Sequence, residues 1–130
     1  MSLKSKGING ERSIVHEFWK TGIWAAHRIA GSGSSKYPSP DIIASNNLRK
    51  LAIEVKTTKS NSVYIPKAEI AALKEFSTMF GAEPWIAVRF DRDKTYFIML
   101  EDMKETDSSF VVDKENAARK GLLFEELVSG

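Results

Sequence analysis

Pro40-Asp41-Ile42-Ile43-Ala44-Ser45-Asn46-Asn47-Leu48-Arg49-Lys50-Leu51-Ala52-Ile53-Glu54-Val55-Lys56-Thr57 is the stretch from which the rest of the chain is read. It holds a short apolar run at 41–45, an Asn-Asn turn and a second run at 50–57, the pattern of two strands joined as a hairpin. Side chains alternate faces along a strand, so Glu54 and Lys56 point one way and Val55 the other. The hairpin sets Asp41, at the start of its strand, near the same end of the sheet. Two carboxylates and one ammonium therefore converge.

Hard oxygen donors of this kind suit Mg²⁺, which is commonly held by one or two carboxylates together with a phosphate. Such an ion lowers the pKa of a bound water and neutralises charge on a phosphodiester. Lys56 beside it would orient that water or stabilise negative charge on the phosphorane. The residues point to a metal-dependent DNA endonuclease. The plainer alternative is that Asp41 merely opens a strand while Glu54 and Lys56 form a solvated ion pair.

Upstream, 9–20 reads as a helix with Ile14, Val15, Phe18 and Trp19 on one face, closed by Thr21-Gly22. Glu11 falls on that apolar stripe. A carboxylate there needs a partner or a metal, unless it simply favours a helix N-terminus. A strand is expected over 23–29. The Gly/Ser/Pro segment 31–40 must be loop, and with Arg28 before it either binds phosphate or only connects. Lys4, Lys6 and Arg12 add cations near Glu11, or are ordinary surface charges.

Downstream, Val63 to Ile65 is a short strand or a continuation of the previous one. Pro66 suits a helix start, and the helix runs to about Phe80 with Glu69, Ala72, Leu73, Phe76 and Phe80 along one stripe. Strands at 84–90 and 95–100 flank an Asp91-Arg92-Asp93-Lys94 turn. The remainder reads as polar and irregular, with a short helix at 122–127. The order αβββαββ gives an α/β fold, a central mixed sheet flanked by helices. His16 and His27 have no partner at ligand spacing, and Trp19, Trp24 and Trp85 read as core or interface.

The 130 residues fit a single domain over 1–130, 42% hydrophobic and 28% charged. The absence of cysteine rules out disulfides and zinc–thiolate sites and favours a cytoplasmic location. No apolar run is long enough to span a bilayer, and neither a secretory leader nor a membrane partner is expected. A net charge of +2 allows a nucleic-acid partner without requiring one.

Nearly the whole chain resembles the archaeal Holliday-junction resolvase family, within the PD-(D/E)xK nuclease superfamily and its restriction-endonuclease-like core. The resemblance rests on Lys6-Gly7, Glu11-Arg12, Arg28-Ile29-Ala30-Gly31-Ser32-Gly33-Ser34, Pro40-Asp41-Ile42-Ile43 and Ile53-Glu54-Val55-Lys56. It continues through Phe76-Ser77-Thr78-Met79-Phe80-Gly81 and Ala87-Val88-Arg89-Phe90. It implies that Glu11, Asp41 and Glu54 serve a site for Mg²⁺, with Mn²⁺ as a substitute, and that Lys56 is catalytic. It further implies that Arg12 and Arg28 are important basic residues, that Lys4 and Lys6 approach DNA, and that the loop serine Ser32 assists cleavage. Because that loop varies among relatives, Ser34 and Ser35 remain alternatives. The implied assembly is a homodimer that cuts two opposed strands of a four-way DNA junction. Readings with a different outcome are a duplex or restriction-like nuclease on the same fold and a non-catalytic DNA-binding module.

Overall fold

The computed structural model describes residues 3–31, 36–90 and 94–130, with no side chains for 3–6. The first helix, α1 (Leu3–Lys20), begins six residues earlier than the apolar stripe indicates. It is followed by β1 (Ala25–Arg28), β2 (Ile42–Ser45), β3 (Lys50–Thr58) and β4 (Ser62–Pro66). The hairpin of β2 and β3 forms as expected, pairing Ile42 with Ile53 and Ser45 with Lys50. Its turn places Asn47 at φ 83, while Asn46 Oδ1 accepts the amides of Leu48 and Arg49 at 3.0 and 2.8 Å. Asn tolerates that left-handed conformation better than most residues do.

Helix α2 (Lys67–Phe80) starts directly after Pro66 and stops at Gly81, whose φ of 76 and N–H bond to the Ser77 carbonyl close the last turn. Then come β5 (Glu83–Phe90), β6 (Thr95–Ile98), a 3₁₀ turn, β7 (Lys104–Glu105), β8 (Ser109–Asp113), α3 (Lys114–Lys120) and α4 (Phe124–Ser129). The central sheet is mixed, in the order β1-β2-β3-β5-β6. β3 and β5 run parallel, and β4 and α2 form the crossover between them.

Two expectations are corrected. β4 does not extend the central sheet; it pairs with β8, and β7 completes a separate three-stranded sheet. The segment after Leu100 is also ordered, with two strands and two helices where irregular structure and one short helix were expected. The Asp91-Arg92-Asp93 part of the expected turn lies outside the described residues.

Period-two alternation in β3 and β5 separates two cores. Leu51, Ile53, Trp85 and Ala87 face Ile14 and Phe18 of α1 and Leu127 of α4. Ala52, Ile86 and Val88 face Ile70 and Leu73 of α2, with Val112 and Ala117 from the second sheet and α3. Glu54 and Lys56 follow Ala52 in alternation, so they emerge on the α2 side where the apolar filling ends. Trp24 and Trp85 are core residues; Trp19 is half exposed and donates its indole N–H to the Ala26 carbonyl at 2.8 Å.

Candidate active site

Asp41 stands immediately before β2. Its N–H donates to the Ile53 carbonyl at 3.0 Å and its carbonyl accepts from Ile29 N–H at 2.9 Å, so backbone on both sides fixes it. Its Oδ2 accepts the Val55 amide at 2.8 Å, which aims the carboxylate across the strand between Glu54 and Lys56. Glu54 sits on the adjoining strand, half-buried. Burial, then the hydrogen bond that the protonated Glu54 carboxyl donates to Asp41 and the charge of Asp41, push the Glu54 carboxyl up to about 9, against the opposing pull of Lys56. Two carboxylates crowded together out of water hold a proton between them unless a cation takes its place.

Glu11 lies in the ninth position of α1, two turns beyond the amide-rich helix start, so a helix N-terminal preference no longer explains it. Its Oε1 accepts from Arg28 Nε of β1 at 3.1 Å. Burial and the charge of Asp41 raise its pKa, while Arg28 opposes the rise. Lys56 Nζ pairs with Oε1 of Glu69, on the first turn of α2, at 2.6 Å.

These groups line one cleft of about 590 Å³. Its walls include Glu11, Asp41, Glu54 and Lys56, with Glu69 from α2 and Lys36, Tyr37 and Ser39 from the segment before Asp41. The strand register delivers Asp41, Glu54 and Lys56, and α1 leans across the sheet end to add Glu11. Among the described residues no three carboxylate or imidazole groups are gathered tightly enough to hold a metal ion between them. The close pair is Asp41 with Glu54, and Glu11 stands at the same cleft, drawn to Arg28.

Of the cations expected to contact DNA, only Arg28 has a described contact at the site. Arg12 is exposed on α1; Ser32 and the side chains of Lys4 and Lys6 lie outside the described residues. Glu69 was legible only as a stripe position. That stripe is itself corrected, because α2 buries Ile70, Leu73 and Ser77. This rotation turns Glu69 and Ala72 to the cleft, while Phe76 is half-buried and Phe80 exposed.

The model of the archaeal Holliday junction resolvase (Hjc) family matches residues 2–130. The chain is 41% identical over 112 residues to the crossover junction endodeoxyribonuclease Hjc of Archaeoglobus fulgidus, covering 86% of this chain and 82% of that protein. Against the enzyme of the same name from Sulfolobus acidocaldarius, identity is 31% over 130 residues, with 98% and 90% covered. The crystal structure of Archaeoglobus fulgidus Hjc, described as a Holliday junction resolvase from an archaeal hyperthermophile, superposes with a TM-score of 0.86. It shares 37% identity over 93% of this chain and 97% of that one.

Proposed function

The chain belongs to the archaeal Holliday junction resolvase family, and from that premise we propose that it resolves four-way DNA junctions by metal-dependent phosphodiester hydrolysis, nicking two opposed strands as a homodimer. The observation that carries the chemistry is the half-buried Asp41–Glu54 pair with Lys56 alongside in one cleft. Hard carboxylate oxygens, crowded enough to keep a proton in the absence of a cation, fit Mg²⁺, with Mn²⁺ as substitute. Asp41 and Glu54 would hold the ion, with Glu11 supplying the third acidic group. Bound there, it would withdraw charge from the phosphodiester and lower the pKa of a water molecule.

The remaining work belongs to the chain's own residues. Asp41 is held by the Val55 amide, which keeps the acidic pair pre-organised before DNA arrives. Lys56 presents an ammonium to the charge that develops as water adds to phosphorus and the bond to the leaving sugar oxygen breaks. Arg28 keeps Glu11 against the cleft, and Lys4, Lys6, Arg12 and Ser32 are assigned to DNA contact and assistance at the scissile phosphate.

Dimerisation is supported by an exposed apolar face among the described residues. Met79 is 82% exposed and Phe80 44%. Phe80 links a hollow lined by Tyr37, Pro38 and Phe76 to a second lined by Ala25, His27 and Ile43. A twofold junction needs two equivalent sites at a fixed separation, which a C₂ dimer provides. The site of action is intracellular DNA, and no described helix is long and apolar enough to cross a membrane.

Asp41→Asn tests the assignment. Cleavage should fall by at least about 10³-fold, while junction binding in the absence of metal stays close to wild type, because phosphate contacts supply most of the affinity. An Asp41→Asn protein that still cuts junctions would contradict the site.

A further inference from the structure

Lys56 has two kinds of carboxylate within its reach, and the structure pairs it with the less obvious one. Glu54 is two residues away on the same face of β3, and its partner Asp41 is adjacent. The ammonium nevertheless bonds to Glu69 at 2.6 Å, on a different element. Glu69 is fixed there by the rotation of α2, whose Ile70 and Leu73 are seated in the core. Both partners keep part of their surface exposed, so the pair alone adds little stability. Its consequence is positional.

We propose that Glu69 is a positioning residue that holds the Lys56 ammonium away from Asp41 and Glu54, keeping that carboxylate pair available to a divalent cation. Without it, Lys56 would turn onto the adjacent Asp41–Glu54 pair, and a fixed internal cation would compete with the external ion. The pairing also leaves the ammonium at a set place on the cleft wall, where it can face a phosphate. This inference rests on the metal-nuclease reading and concerns how that site is kept open.

The test is a double-mutant cycle read by direct Mn²⁺ binding to the full chain without DNA, followed by EPR of the free ion, with junction cleavage against Mg²⁺ concentration measured alongside. Glu69→Leu should weaken Mn²⁺ binding, and raise the Mg²⁺ concentration for half-maximal cleavage, by about 10-fold, the usual scale for a group behind metal ligands. Glu69→Gln, which keeps an oxygen acceptor for Lys56, should stay within about 3-fold of wild type on the same scale. Lys56→Met should bind Mn²⁺ at least as tightly as wild type, although it cuts poorly. The Lys56→Met/Glu69→Leu double variant should match Lys56→Met, since no ammonium is left to compete. Wild-type affinity in Glu69→Leu would overturn the inference. So would a double variant as weak as Glu69→Leu, which would mean that Glu69 acts on the cation directly. A wild-type protein that neither binds Mn²⁺ nor cuts junctions would instead bring down the underlying nuclease reading, and this inference with it. Should Glu69→Leu fold poorly, Glu69→Ala, alone and combined with Lys56→Met, carries the same comparison with the same expected and overturning results.

Discussion

Glu54 is caught between burial and a second carboxylate, and its pKa rises from an ordinary 4.5 to about 9. At pH below 4.5 the folded and unfolded chains both carry the proton. As pH rises from there the unfolded chain releases it first, so metal-free stability should decline across the interval up to about 9. Glu11 and Glu17, also raised, act in the same direction; Glu83, lowered by Arg49, acts oppositely and loses its contribution as pH falls. Urea midpoints in EDTA should therefore fall with pH between 5 and 9 for wild type and fall less for Glu54→Gln, with the gap closing when Mg²⁺ is present. Identical pH profiles for the two proteins would refute the crowded carboxylate pair. The residues of this pair were readable in sequence because strand alternation fixes which side chains share a face. Glu69 was not, because its place depends on how α2 rotates against the sheet, and that is decided by Ile70, Leu73 and Ser77 filling the core.

At the scale of elements, boundaries marked by special backbone chemistry were legible and closures between distant segments were not. Gly81 ends α2 with φ 76 and open space around it. Gly81→Ala should cost about 1 kcal/mol in a denaturant melt, from strain in the left-handed region, and an unchanged midpoint would contradict this. Arg49 ties the hairpin to the rest of the molecule. It makes two bonds to Glu83 at 2.8 and 2.9 Å and one to the Leu127 carbonyl at 2.7 Å, and lies 5.7 Å from the Trp24 ring. Arg49→Ala should destabilise by about 1–2 kcal/mol through those lost bonds, with earlier exchange of the α4 amides. None of these contacts could be read from spacing along the chain. The second sheet escaped for the same reason. β4 and β8 are paired although 42 residues lie between Pro66 and Ser109, β7 is only two residues long, and α3 buries only Ala117.

For the molecule as a whole, the mixed sheet with helices on both faces followed from the pattern of runs and turns, while the way copies assemble did not. A sequence cannot show that Tyr37, Met79 and Phe80 share one exposed surface; that emerges when α2 and the segment before Asp41 meet. Met79→Glu/Phe80→Glu should convert the proposed dimer to monomer in light scattering, lose paired nicking and keep a folded core. A variant that stayed dimeric would place the interface elsewhere. The most direct test of the central claim compares a mobile four-way junction with a linear duplex of matching arm sequence, with Mg²⁺ and with EDTA. The account predicts paired nicks yielding two duplexes from the junction, little cutting of the duplex and none in EDTA. Comparable rates on both substrates, or an intact junction in the presence of Mg²⁺, would contradict it.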